Sequence, residues 1–122
     1  MQTNFTFIIK EDHLFMNLTG KYNLQDYFSI IEFAKKTCDA ENINKILANT
    51  LDVELTDIST MDRFDLGKKI AETLQYKIKI AFIAKKEIVD GFAELVANNR
   101  GGYAKVFSDL EIAEKWLLTK PD

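Results

Sequence analysis

The chain opens on a period of two. Phe5, Phe7 and Ile9 alternate with Thr6, Ile8 and Lys10, and Leu14, Met16 and Leu18 alternate with His13, Phe15 and Asn17. Successive side chains of a strand point to opposite faces, so each run predicts a strand with one apolar face. Glu11 and Asp12 form a short polar break between them, which predicts a hairpin that ends at Gly20. From Leu24 the period lengthens. Tyr27, Ile30, Ile31, Ala34 and Cys38 recur at the spacing that lines one face of a helix, with Lys35, Lys36 and Asp39 toward solvent. Residues 44–49 are short and apolar, as a buried strand requires, whereas residues 50–58 have no clean period and are expected to form a loop.

Ser59 offers an N-cap hydroxyl and Asp62 a first-turn negative charge, which start a second helix carrying Phe64, Gly67, Ala71 and Leu74 on one face. A glycine there costs about 1 kcal/mol of helix propensity against alanine, and close approach of helix to sheet is the expected return. Residues 78–84, with Lys79 as their only charge, predict a central strand. A third helix with Val89, Phe92, Leu95 and Val96 on one side is expected to stop at Asn98-Asn99-Arg100-Gly101, where Gly101 suits the left-handed terminal position. Tyr103 to Phe107 predicts a fifth strand. Ser108 with Glu111 reads as a capping box for a last helix, which carries Leu110, Ala113, Trp116 and Leu117 and is followed by Pro121. The order ββαβαβαβα predicts an α/β fold: a mixed, largely parallel five-stranded sheet covered by amphipathic helices, with the N-terminal hairpin supplying an antiparallel strand. Strand order is not readable from the pattern.

Composition narrows the classes. A length of 122 residues suits one domain over 1–122, and one proline and five glycines leave no low-complexity linker. A net charge of −3 lacks the basic footprint of a nucleic-acid binder. Cys38 is the only cysteine, so neither an intrachain disulfide nor a cysteine-based zinc site is available. The N-terminal apolar run is too short for a signal peptide or a membrane span, and a cytoplasmic location is the expectation.

Two stretches carry a family resemblance. One is the helix end at 92–101, with its Asn99-Arg100-Gly101 stop. The other is 106–117, with Val106-Phe107 followed by Ala113 and Trp116-Leu117. With the element order, they resemble the SpoIIAA-like, or STAS/SEC14-type, family of small bacterial proteins. The resemblance implies a non-enzymatic regulatory or protein-interaction domain with a protein partner. On its SEC14 side it implies instead an apolar pocket and a small apolar-ligand or lipid carrier or sensor. In anti-sigma-factor antagonists of the wider fold, a serine at the start of the second helix is phosphorylated. The matching region here is Thr56 to Met61, where no glycine follows and the acidic residue stands two positions before Ser59.

The candidate residues each have a plainer reading. Ser59 and Thr60 are a possible phosphorylation or partner switch, but capping alone explains a serine at a helix start. His13, the only histidine, is expected to be an exposed turn residue, and Cys38 a small core residue rather than a nucleophile. Asp52, Glu54, Asp57, Asp62 and Asp65 lack the spacing of a calcium loop, so no metal or cofactor is expected. Arg63 and Arg100 are the only arginines and possible contacts for an anion or a partner; the 98–102 stretch otherwise reads as a helix-ending turn. Phe64, Phe92 and Trp116, with Phe82 and Phe107, could line an apolar pocket or an ordinary core. No catalytic constellation is found, and apolar helix faces leave a homodimer possible.

Overall fold

The computed structural model describes residues 1–55, 58–87 and 91–119. Its strands are β1 (Thr3–Ile9), β2 (Leu14–Lys21), β3 (Lys45–Glu54), β4 (Lys79–Ile83) and β5 (Ala104–Phe107). Its helices are α1 (Leu24–Glu41), α2 (Thr60–Leu74), α3 (Phe92–Asn99) and α4 (Leu110–Leu118), in the expected order. The five strands lie side by side in chain order. β1 is antiparallel to β2, and every other neighbour pair is parallel. Helices α1, α2 and α3 pack on one face, over Leu14, Met16, Leu18, Ile46, Ala48 and Ile80. Helix α4 packs alone on the other, over Leu47, Ala81 and Ile83.

The expected loop at 50–58 is largely strand. β3 runs on to Glu54, because β2 offers it backbone partners as far as Lys21. Asn17 pairs with Asn49 but Thr19 pairs with Asp52, so β3 carries an extra residue opposite β2. This bulge shifts the alternation partway along the strand, which is why no period is legible there. Thr50 lies at the bulge, buried, its hydroxyl donating to Ile83 O at 2.7 Å. Of the expected loop, Thr56 and Asp57 lie outside the described residues, as do Val89 and Pro121.

His13 is also corrected: it is 4% exposed, not a solvated turn residue. Its carbonyl accepts from Lys10 N at 2.9 Å and closes the hairpin, while strand alternation turns its ring onto the sheet face opposite Leu14. Nδ1 lies 2.7 Å from Asp12 Oδ1. The last helix starts one residue later than expected. Asp109, not Ser108, is its N-cap and accepts from Ile112 N at 3.0 Å, because Asp caps as well as Ser and β5 ends only at Phe107. In α3 the buried residues are Val96 and Ala97, whereas Leu95 is exposed. Gly101 does adopt a left-handed conformation, at φ +94°.

Gly67 faces a helix rather than the sheet. A β-carbon at this position would lie 2.5 Å from Ala93 O and 2.9 Å from the Val96 β-carbon. The two helix backbones therefore touch where α2 has no side chain, and this contact selects which face of α3 is buried.

The two edges of the sheet are finished differently. At β5, α3 supplies side chains that complete the ladder. Asn98 Nδ2 donates to Ala104 O at 3.0 Å, its Oδ1 accepts from Ala104 N at 2.8 Å, and Glu94 Oε2 accepts from Val106 N at 3.1 Å. At β1 the carboxylate of Asp26 accepts from Gln2 N and Thr3 N, at 2.8 and 3.0 Å. Beyond Thr3 the β1 edge is open.

Gly67→Ala tests the helix contact. Alanine gains about 1 kcal/mol of helix propensity but overpacks against a backbone carbonyl, at a cost of up to about 3 kcal/mol. A net loss of about 2 kcal/mol is expected in urea unfolding; unchanged or raised stability would show that α2 and α3 are not held this close.

Candidate functional site

The strand alternation and the α2–α3 contact leave a cavity of about 100 Å³ at the C-terminal ends of the parallel strands. Its floor is the sheet: Thr50 at the β3 bulge, Phe82 and Ala84 at the end of β4, Ala104 and Val106 on β5. One wall is α2, through Arg63, Leu66 and Ile70, and another is the start of α3, through Gly91, Ala93 and Glu94. Leu55 and Ile58 close it from the chain leading into α2, and Tyr22 and Tyr27 from the side of α1. The crevice beyond the carboxyl ends of the strands is where open α/β sheets take ligands.

Its chemistry is that of an apolar chamber with a few polar groups. Tyr22 and Tyr27 meet edge to face, ring centres 5.1 Å apart. The Tyr22 hydroxyl donates to Asp62 Oδ2 at 2.9 Å, tying the start of α1 to the start of α2. Burial first, and that carboxylate second, raise the Tyr22 phenol well above its ordinary range. The Tyr27 hydroxyl is buried and has no hydrogen-bond partner among the described residues, and burial alone raises its pKa. Arg63 and Glu94 bring one charge of each sign to the lining. Among the described residues no group of three or more metal-ligating side chains comes together.

The structure disperses the residues singled out in the sequence. Ser59 is the N-cap of α2 and accepts from Asp62 N at 3.0 Å; it and Thr60 are exposed. Of the two arginines, only Arg63 reaches the cavity. Arg100 is exposed and stacks over the Phe64 ring, 5.0 Å from its centre, so these two candidates meet each other. Phe64 and Phe92 do not line the cavity, and neither does Trp116, which packs on the opposite face of the sheet. Cys38 is fully buried in the α1 core, and burial pushes its thiol up to about 11, which leaves it unreactive at neutral pH. The main polar lining residues, Tyr22, Tyr27 and Thr50, were not legible as a set. Tyr27 reads as one more apolar-face residue, and Thr50 falls in the stretch where the bulge erases the pattern.

An unpartnered buried hydroxyl costs stability, so Tyr27→Phe should be neutral or stabilising by about 1 kcal/mol at pH 7. The alkaline limb follows by linkage. Above the ordinary tyrosine value of 10.0 the unfolded chain releases a phenolic proton that the folded chain retains, so stability falls as pH rises past that value. Urea unfolding at pH 7 and above pH 10 should show a shallower alkaline loss in Tyr27→Phe. A loss above about 1 kcal/mol at pH 7 would mean that the hydroxyl is satisfied.

No protein-family model matches the chain, and a search of curated proteins finds no significant match. Solved structures do match. An anti-sigma factor antagonist from Mycobacterium paratuberculosis superposes at a TM-score of 0.62, with 10% identity over 96% of this chain and 95% of that one. An uncharacterized protein of the DUF3478 family from Shewanella loihica PV-4, described as having a SpoIIAA-like fold, gives a TM-score of 0.54, with 22% identity over 94% of this chain and 93% of that one. The mixed sheet in chain order, with three helices on one face and one on the other, is thus the SpoIIAA-like, STAS-type fold that the C-terminal motifs resemble.

Proposed function

We propose that this domain is a non-enzymatic regulatory module that binds a protein partner through the start of α2. The observation that carries the reading is the surface there. Ser59 and Thr60 are exposed beside Met61, which is 66% exposed, at a helix N-terminus in a fold shared with an anti-sigma factor antagonist. A large apolar side chain held out on a capped helix start is a ready anchor for a partner. Phosphate on Ser59 would be drawn to the helix N–H groups and repelled by Asp62, whose amide the hydroxyl now engages, so a charge there would alter this surface. No helix of the described residues is long and apolar enough to cross a membrane, and we read the domain as acting in the cytoplasm.

Met61→Asp and Ser59→Asp test this. Both positions are exposed, so stability should change by no more than about 0.5 kcal/mol for Met61→Asp and about 1 kcal/mol for the cap. A partner captured by the wild type from native lysate should bind at least about tenfold more weakly to Met61→Asp, read by titration with the purified partner. Capture that is indifferent to both variants, or absent for all three proteins, would remove the reading.

The cavity favours a second reading, a carrier or sensor of a small apolar molecule. Its size is modest: a dry cavity of about 150 Å³ accepts benzene, so a compact molecule fits here better than a lipid chain. Native mass spectrometry of gently purified protein should then show added mass that disappears on denaturation. A Leu66→Trp variant, which fills the chamber from α2, should lose it. Apo protein throughout, without a thermal shift across compact apolar compounds, would exclude the carrier role.

A further inference from the structure

The open edge of β1 is complementary to itself. In the β1–β2 ladder, Lys10 N donates to His13 O and Lys21 N donates to Gln2 O, at 2.9 and 3.0 Å. The even-numbered residues of β1 therefore direct their backbone groups toward β2, and the odd-numbered ones direct theirs outward. The N–H and C=O groups of Phe5, Phe7 and Ile9 thus form an unpaired row at the margin of the sheet. None of the usual protections is present. Thr3–Ile9 contains no charge, no proline and no bulge, and Phe7, Ile8 and Ile9 are 44%, 57% and 42% exposed. The opposite margin, by contrast, is filled in by Asn98 and Glu94.

We propose that this edge pairs with β1 of a second copy of the chain, antiparallel about a two-fold axis at Thr6, to make one continuous sheet through both copies. The register follows from the outward groups. Hydrogen-bonded pairs must join odd-numbered residues, and setting Phe5 opposite Phe7 of the second copy centres the open row on the axis, while Thr3, whose N–H is already held by Asp26, falls opposite Ile9 at each end. Thr6 then meets Thr6 at the axis in a pair without backbone bonds, with α-carbons about 4.5 Å apart. The side chains agree with this register. Phe5 and Phe7 each pack on Phe33 of α1, at 5.0 and 4.9 Å between ring centres, and each would gain the other's counterpart across the axis. Lys10 of one copy falls beside Gln2 of the other, where the Asp26 carboxylate ends the open row. A second copy carries the matching uncharged, aromatic pattern by construction. The pairing is independent of the partner reading of α2.

Thr6 provides a register-specific test, because it is exposed in the single chain. Sedimentation equilibrium should show a reversible dimer. Thr6→Lys should weaken it by at least about tenfold through like charges at the axis, and Thr6→Glu likewise. Mixing the two variants should restore a heterodimer. Thr6→Cys should form an interchain disulfide under mild oxidation, with Cys38 buried and uninvolved. A wild type that stays monomeric up to about 1 mM would overturn the proposal. So would a dimer indifferent to Thr6→Lys, or a Thr6→Cys protein that dimerises without cross-linking.

Discussion

The Ala93 carbonyl oxygen lies only 2.5 Å from where any side chain at position 67 would begin, and much of the molecule follows from that contact. Two helices joined through an intervening strand can come this close only if one of them presents bare backbone. Gly102 repeats the requirement a turn later, since a β-carbon there would lie 2.9 Å from Ala97 O and 3.2 Å from the Ala71 α-carbon. Together they pin α3 to α2 and bring the first turns of both helices over the strand ends. Arg63, Ala93 and Glu94 become neighbours around one chamber for that reason, although none is close to another in sequence except the last two.

This constraint was the least legible part of the sequence. Elements announced by periodicity, such as the β1–β2 hairpin and the Tyr27-to-Cys38 face of α1, form where the pattern puts them, because burying an apolar stripe is a local instruction. Gly67 was readable as a place of close approach but not as to what approaches. A missing side chain carries no information about its neighbour. The bulge in β3 hid Thr50 for a related reason: one inserted residue is paid in pairing to β2, a strand distant along the chain. Residue type marks Trp116 as a pocket aromatic, yet it lies across the sheet from the cavity. Type alone does not say which face of a strand a helix will choose.

The sheet divides the labour. One face holds three helices, the larger core and the chamber; the other holds α4 and a smaller cluster around Leu47, Ala81, Ile83 and Leu117. The smaller side contains the one costly burial in the β4 strand. Lys79 is 6% exposed, and its ammonium donates to the carbonyls of Trp116 and Thr119 at the C-terminal end of α4, where the helix dipole favours a cation. Burial, with the nearby Lys45 charge second, lowers its pKa, so the helix end compensates the desolvation only in part.

That arrangement gives the protein an internal optical gauge. The Lys79 ammonium stands 4.3 Å from the centre of the Trp116 ring, and Phe107 and Tyr103 surround the indole at 5.6 and 5.4 Å. Trp116 is the only tryptophan in the chain. Its emission therefore reports on a single event, the seating of α4 against the sheet, and is silent about the three helices on the far side. Fluorescence consequently watches one face of the sheet while backbone circular dichroism sums over both, and any interval between them is a view of one layer leaving before the other.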